Sequence, residues 1–367
     1  MQFKFYREDL LTLLQKVMGA IERKQATLPV LANVLIVLDN DKLNLTGTDL
    51  ELELKATGSV QEVIAEGRIT VPARTLQEII KAMPENELID FISHNDKVKI
   101  QCGKTKFSIG SISAESFPDT EKTDSEATFK ISKEVLKELL HTTGFAMAQQ
   151  DVRYFLNGLL FEFFPDKIRT VATDGHRLAT NVLSTDTGVL NPIKIIVPRK
   201  TIQELLKILS EESEVELSVG ENVFQVKTDG YTMLSRVVEG KFPNYERVIP
   251  RGEGQKVLVD RECLKEALQR TSAITKDRTK AANLTFKDNK IIIFAVNSEH
   301  DEVEESIDVE YGGKELTIGF NAGYLMDFLQ IINDKQFVLT VSDPASSALL
   351  MPQGDTSFLY VVMPMRL

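Results

Sequence analysis

The chain repeats itself three times at domain length. Val71-Pro72-Ala73-Arg74-Thr75-Leu76-Gln77-Glu78-Ile79-Ile80-Lys81-Ala82-Met83 returns as Val197-Pro198-Arg199-Lys200-Thr201-Ile202-Gln203-Glu204-Leu205-Leu206-Lys207-Ile208-Leu209. Leu76, Ile79, Ile80 and Met83 recur at i, i+3, i+4 and i+7, one face of a helix. Ile202, Leu205, Leu206 and Leu209 repeat that face, and Leu325, Phe328, Leu329 and Ile332 form a third copy. Thr46-Gly47-Thr48-Asp49-Leu50 returns as Val171-Ala172-Thr173-Asp174-Gly175, and Ser116-Phe117-Pro118-Asp119 as Lys241-Phe242-Pro243-Asn244. The copies lie roughly 125 residues apart, the length of a domain and not of a solenoid unit.

An amphipathic helix opens each copy, carried by Leu11, Leu14 and Met18, then Leu136, Leu139 and Thr143, then Leu264, Ala267 and Thr271. Ser132 and Asp260 are expected N-caps of the second and third. Each copy reads as two halves, a short strand and a helix followed by several alternating strands. Val34–Leu38 and Leu43–Thr46 predict a hairpin around Asn40-Asp41, and Val98–Ile100 with Lys106–Ile109 another around Gly103. Polar stretches at Asp119–Glu126 and Pro250–Gln255 place the domains at 1–125, 126–253 and 254–367.

Of 367 residues, 43% are hydrophobic and 26% charged, enough to build large cores without disulfide or metal. Cys102 and Cys263 are too few for a disulfide framework, which suits a reducing cytoplasm. His94, His141, His176 and His300 lie apart, with no zinc-site spacing. The first residues lack the basic-then-apolar pattern of a signal peptide. The longest apolar runs, such as Ile291–Val296, are strand-sized and too short to span a membrane.

The net charge of −11 argues against a protein that coats nucleic acid by bulk charge. The charge is unevenly placed. Summed over the six predicted helices, 7–24, 73–83, 132–153, 198–209, 260–280 and 321–332, it is positive. Lys16, Arg23, Lys24, Arg74, Lys81, Arg199, Lys200, Lys207, Arg270, Lys276, Arg278 and Lys280 supply much of it. Helices gathered on one surface would attract phosphates without reading bases; the plainer alternative is that Lys and Arg are good helix formers on solvated faces.

Asp174-Gly175-His176-Arg177 is the cluster most like a catalytic site, since a histidine near an aspartate can act as a general base. No nucleophile elbow, phosphate loop, dinucleotide fingerprint or metal motif accompanies it. Thr48-Asp49 holds the same place in the first repeat, followed by Leu50, so catalysis would have to arise in one repeat alone. Structure or binding is the favoured reading. A hydrolase using Asp174 and His176, and a repeat scaffold that does not meet DNA, are the alternatives. The terminus Leu359–Leu367 is apolar almost to its end, with Met363 and Met365 flanking Pro364, as in a final strand that runs into an adaptable groove.

Taken together, Leu45–Glu51, Thr173–Ala179, Ile196–Lys200, Phe242–Tyr245 and Val361–Leu367 resemble the β subunit family of bacterial DNA polymerase III, the sliding clamps, over the whole chain. The resemblance implies an α+β fold of three tandem DNA-clamp domains, each of two βαβββ-like halves, with helices lining a ring interior and antiparallel sheets outside. It implies a cytoplasmic, non-enzymatic processivity factor without cofactor or metal. Such a factor is a head-to-tail homodimer that encircles duplex DNA without regard to sequence. It tethers the polymerase III α subunit, the clamp loader δ subunit, other polymerases and mismatch-repair proteins through a peptide motif, roughly Gln-Leu-x-Leu-Phe.

Positions matching the family's peptide pocket are Leu156, Thr173, Gly175, His176, Arg177, Leu178, Pro243, Arg247, Val248, Val361, Val362, Met363, Pro364, Met365 and Arg366. The resemblance makes Leu178, Val248, Val361 and Met363 receivers of apolar anchors, and Met365 the gate between subsites. Arg23, Lys24, Gln150, Arg153, Tyr154, Arg199 and Lys200 are the expected DNA contacts. At the dimer contact, Lys104, Lys106 and Phe107 would face Ile274, Thr275, Glu302, Glu304 and Glu305, with Thr275 where the family carries a larger aliphatic residue.

Overall fold

The computed structural model describes residues 1–22, 28–119, 125–209, 214–251, 254–274 and 281–365. Arg23, Lys24, Thr275, Lys276, Arg278, Lys280 and Arg366 lie outside the described residues.

One strand, one helix and a three-strand antiparallel meander form the building unit, and it occurs six times. The first repeat holds β1 (Gln2–Tyr6), α1 (Arg7–Val17), β2 (Asn33–Asp39), β3 (Lys42–Thr48) and β4 (Leu52–Ser59). After an added strand β5 (Glu62–Ala65) come β6 (Gly67–Pro72), α2 (Ala73–Ala82), β7 (Leu88–His94), β8 (Lys97–Cys102) and β9 (Thr105–Gly110). The second holds β10 (Ala127–Ser132), α3 (Lys133–Gly144), β11 (Gly158–Phe164), β12 (Lys167–Thr173) and β13 (Arg177–Ser184). Its other half is β14 (Ile193–Pro198), α4 (Arg199–Ile208), β15 (Glu214–Gly220), β16 (Val223–Thr228) and β17 (Tyr231–Arg236). The third holds β18 (Gln255–Asp260), α5 (Arg261–Thr271), β19 (Ala281–Lys287), β20 (Lys290–Val296) and β21 (Glu302–Asp308). It ends with β22 (Leu316–Asn321), α6 (Ala322–Ile331), β23 (Gln336–Val341), β24 (Ala348–Pro352) and β25 (Phe358–Val362).

In every repeat the opening strand of each half joins the meander of the other half: β1 pairs with β7 and β6 with β2, β10 with β15 and β14 with β11, β18 with β23 and β22 with β19. This exchange locks the two halves of a repeat together by backbone hydrogen bonds.

The chain forms two compact units. One comprises Met1–Lys133 and Gln203–Val237, the other Glu134–Ile202 and Val238–Leu367, so the middle repeat is divided between them. The first unit contains a sheet of order β5-β1-β7-β8-β9 and another of order β10-β15-β16-β17-β4-β3-β2-β6. Phe3 and Phe91 stack at 4.8 Å in its core, both fully buried. The second unit contains β14-β11-β12-β13-β25-β24-β23-β18 and β21-β20-β19-β22. There Phe328 stacks on Tyr360 at 5.5 Å and meets Phe337 edge-on at 5.4 Å.

Both expected hairpins form, with Asn40 at φ +54° and Gly103 at φ +54°, the left-handed geometry that Asn and Gly tolerate best. Asp260 caps α5 by accepting from the Cys263 N–H at 3.0 Å. The helices are shorter than the periodicity predicts. α1 ends at Val17 and buries Leu10, Leu13, Leu14 and Val17, leaving Leu11 and Met18 at the edge of the core and not at its centre. α3 stops at Gly144 although apolar residues continue to Ala148. Beyond it, Arg177 donates to the Phe145 carbonyl at 3.0 Å and Arg199 to the Met147 carbonyl at 2.8 Å. These two donors replace the helical partners that segment would otherwise need. α5 ends at Thr271, where the Thr271 and Ser272 hydroxyls donate back to the Ala267 and Leu268 carbonyls. No helix among the described residues is long and apolar enough to cross a membrane.

Candidate functional site

The turn Thr173–Arg177 is built from the hydrogen-bonding appetite of its own side chains. Gly175 sits at φ +90°, which a side chain would strain. Its N–H donates to Thr173 Oγ1 at 3.1 Å. Asp174 Oδ1 accepts from the backbone N–H of His176 at 2.9 Å and of Arg177 at 3.1 Å, while Oδ2 accepts from Arg177 Nε at 3.0 Å. The Asp174 carboxylate is therefore spent on the turn and on Arg177. It does not orient the His176 ring, so the Asp–His pair of the hydrolase reading does not form. Arg177 is pinned further by Asp327 and lies 4.5 Å from the Tyr324 ring centre.

Behind this turn β13 pairs with β25, Leu178 opposite Val361 and Arg177 opposite Val362. The apolar tail continues the contact. Met363 N–H donates to the His176 carbonyl at 2.9 Å, and Met365 N–H to the Gly319 carbonyl at 2.8 Å. An apolar cavity of about 150 Å³ opens here. Leu156, Leu178 and Val361 form its floor, and Pro243, Tyr245 and Val248 line it from the segment after Phe242. Thr173, Gly175, Met363, Arg153 and Arg177 complete the lining.

Nine of the expected pocket positions thus meet at one cavity: Leu156, Thr173, Gly175, Arg177, Leu178, Pro243, Val248, Val361 and Met363. Others lie beside it. Arg247 lines a wider cleft of about 690 Å³ that shares Val248 with the cavity. His176 lines a third cleft of about 460 Å³ together with Gln150 and Arg199. Val362 is buried, and Pro364 and Met365 are half-buried along the tail.

Two lining residues were not expected there. Tyr245 is 7% exposed, and the residues give only the weak signal of an aromatic ring with a polar tip after Phe242-Pro243-Asn244. Arg153, expected among the DNA contacts, is held by Asp151 through Nε at 3.0 Å and Nη2 at 2.9 Å. That guanidinium holds the Asp151 carboxyl down at about 2. A Cβ on Gly175 would stand 3.0 Å from Arg153 Nη2.

Arg153 shares its loop with Gln150, at φ +58°, and with Val152 and Tyr154, which are 94% and 58% exposed. Arg199 is half-buried, and burial together with Arg177 pulls its guanidinium below the ordinary value. Lys200 is exposed at the start of α4. At the sheet edges, Lys104 and Lys106 are exposed beside half-buried Phe107 on β9 and the turn before it. Glu302 and Glu304 are exposed on β21 and Ile274 is half-buried. Glu305 already has a partner: Arg270 Nε donates to it at 2.7 Å and lowers its proton affinity.

Family models of the DNA polymerase III beta subunit match along the chain, the N-terminal domain at 1–121, the central domain at 130–244 and the C-terminal domain at 246–366. The chain is 43% identical to the beta sliding clamp of Pseudomonas aeruginosa over 368 residues and 36% identical to that of Escherichia coli over 369, each covering 100% of both chains. Among solved structures, the DNA polymerase III subunit beta from Pseudomonas aeruginosa superposes with a TM-score of 0.95 at 42% identity. The sliding clamp from Bartonella birtlesii bound to griselimycin does so at 0.96 and 33%; both matches cover 100% of both chains.

Proposed function

The chain belongs to the DNA polymerase III beta subunit family, the sliding clamps of DNA replication, and from that premise we propose that two copies close into a ring around duplex DNA. A sliding clamp is a non-catalytic processivity factor for DNA polymerase, and this protein is one.

The observation that carries the ring is the fate of the six strands that end the meanders. β4 bonds to β17 and β13 to β25, each time joining an odd-numbered half to an even-numbered one. β9, from the second half, and β21, from the fifth, end their sheets. A third junction of the same kind would join β21 of one copy to β9 of the next. Two such head-to-tail contacts close a twofold ring. Lys106 on β9 with Lys104 just before it, and Glu302 and Glu304 on β21, supply opposite charge, and Phe107 and Ile274 supply apolar contact.

In this ring Gln150, Arg153, Tyr154, Arg199 and Lys200, with Arg23 and Lys24, meet the duplex through weak, sequence-blind attraction to phosphate. The apolar cavity takes the peptide motif of the polymerase III α subunit, the clamp loader δ subunit, other polymerases and mismatch-repair proteins. Leu178, Val248, Val361 and Met363 receive its apolar side chains, and Met365 gates the approach. A five-residue segment buries little area and loses conformational freedom, so its affinity should be about micromolar. Tethering then raises the polymerase's effective concentration at the primer end. The place of work is the bacterial cytoplasm.

Small-angle X-ray scattering over a concentration series tests the ring: two chains of 41.2 kDa should give a hollow particle of roughly 82 kDa. Retention on circular duplex DNA, with release when that DNA is cut, tests encirclement. A compact monomer that binds cut and circular DNA alike would overturn the reading.

A further inference from the structure

One wall of the apolar cavity lacks regular structure. Pro243, Tyr245 and Val248 belong to a segment whose only element is a single 3₁₀ turn, Tyr245–Arg247. Among the described residues, the turn's backbone bond is its own, Val248 N–H to the Tyr245 carbonyl at 3.0 Å, which closes it on itself. Asn244, at its N-cap, contributes no side-chain cap. The position of this wall must come from side chains.

The neighbouring sheet supplies them. Across β14, β11 and β12, the row Ile196–Leu160–Val171 belongs to the apolar cluster that packs with Phe242 and Tyr245. Two residues further along each strand, on the same face, comes the row Lys194–Glu162–Arg169. Glu162 is 1% exposed. A buried carboxylate is costly unless every oxygen finds a donor. Here each does. Oε1 takes Lys194 Nζ at 2.5 Å. Oε2 takes the Tyr245 hydroxyl at 2.7 Å and Arg169 Nη1 at 3.2 Å. Arg169 Nη1 also donates to the Tyr245 hydroxyl at 2.8 Å and reaches Glu246 at 3.7 Å. Burial alone would drive the Glu162 carboxyl up, but Lys194, Tyr245 and Arg169 outweigh it and keep the group below the ordinary carboxylate range.

We propose that Glu162 and Arg169 are positioning residues for the pocket: by holding the Tyr245 hydroxyl they set the wall of Pro243, Tyr245 and Val248 at the separation from Leu178 and Val361 that admits a partner's apolar side chains. The proposal rests on the reading of this cavity as the partner-peptide site. It divides the work of one carboxylate, since Oε2 sets the pocket and Oε1 only neutralises the row.

The test measures the affinity of full-length protein for a fluorescein-labelled Gln-Leu-Ser-Leu-Phe peptide by anisotropy. Tyr245→Phe keeps the ring that lines the cavity and removes only the tether; it should weaken binding about tenfold, the scale of one charge-assisted hydrogen bond. Arg169→Lys, which keeps charge but loses the planar fork, should shift affinity the same way. Lys194→Ala, on the other oxygen, should change it less than about twofold, because the Lys194 side chain stands largely in water and water can take its place on Oε1. Amide exchange of residues 244–248 should quicken in Tyr245→Phe while β13 and β25 exchange as before. If wild type binds and Tyr245→Phe binds equally, the positioning role is wrong. It is equally wrong if Lys194→Ala weakens binding as much as Tyr245→Phe, because the carboxylate would then act through general stability. If the wild type leaves the peptide free, or Met363→Ala binds unchanged, the pocket reading itself falls and the positioning role with it.

Discussion

The junction of β4 with β17 and the junction of β13 with β25 share one backbone design and differ in the side chains placed on it. In the first, Leu50 N–H donates to Thr48 Oγ1 at 3.0 Å, and Asp49 Oδ1 accepts from Glu51 and Leu52 at 3.0 and 2.7 Å. In the second, Gly175, Thr173, Asp174, His176 and Arg177 make the same bonds at 3.1, 2.9 and 3.1 Å. The crossing strands agree as well: Arg236 N–H donates to the Glu51 carbonyl at 2.8 Å, as Met363 N–H does to His176 at 2.9 Å.

Onto this common geometry the first junction puts Leu50, Glu53 and Arg236 where the second puts Gly175, Leu178 and Met363. Leu50 holds φ +77° and stands 47% exposed, a strained and wasteful place for a leucine. The backbone of the junction thus follows from the repeat. Three differences on it, Gly175, Leu178 and Met363, line the apolar cavity, and at the left-handed position a Cβ would stand 3.0 Å from Arg153 Nη2.

Exchanging residues between the junctions tests this directly. The largest effect is expected from Gly175→Leu. Its Cβ would press on Arg153 at an unfavourable φ, and peptide binding should fall by about a hundredfold or more, with a stability loss of about 1–3 kcal/mol. Anisotropy and calorimetry measure the two effects; retained affinity would mean that the glycine does not open the pocket. Met363→Arg, the first junction's residue, places a charge at an apolar rim and should weaken the peptide about tenfold with the fold intact. Isothermal titration checks it. Leu50→Gly should relieve the strained turn and raise stability by up to about 1 kcal/mol, partly offset by the freer unfolded chain. It should leave peptide affinity unchanged, and a fall in the thermal midpoint would show that Leu50 earns its place by packing.

The smallest effect concerns pH. The Asp151 carboxyl stands at about 2, below its ordinary 3.8, because Arg153 donates to it. A depressed acid stabilises the folded state above its unfolded value and loses that contribution as pH falls from about 4 to about 2. The Arg153 position at the rim should therefore be indifferent to pH between 5 and 8. A carbon-detected NMR titration of Asp151 should give a midpoint near 2; one near 4 would mean that the clamp on Arg153 is not formed in solution.

Much of this was legible in the residues. The helix faces of α2, α4 and α6, the two hairpins and the Asp260 cap all rest on short-range chemistry that the residue pattern states openly. The turn Thr173–Arg177 was legible too, but its pattern is equally that of a catalytic Asp–His pair; only the geometry, with both Asp174 oxygens occupied, separates the two. The early end of α3 was hidden, because the donors that take up the carbonyls just beyond it, Arg177 and Arg199, lie many residues away in the chain. So was the buried Glu162, which sits in the otherwise apolar run Gly158–Phe164 with nothing local to mark its partners.

By itself, then, the amino-acid sequence determined the unit of the fold: a strand, a helix and a meander, six times over, with the turn chemistry that each copy needs. These depend on contacts within a few residues, and periodicity records them. Tertiary structure alone decided which meanders fuse, which sheet edges remain, and which side chains converge on a 150 Å³ cavity. β13 and β25 lie far apart in the chain, and so do Glu162 and Tyr245. Such pairings are chosen by how completely they bury apolar surface and satisfy buried polar atoms, and those are properties of the assembled sheets, not of any segment within them.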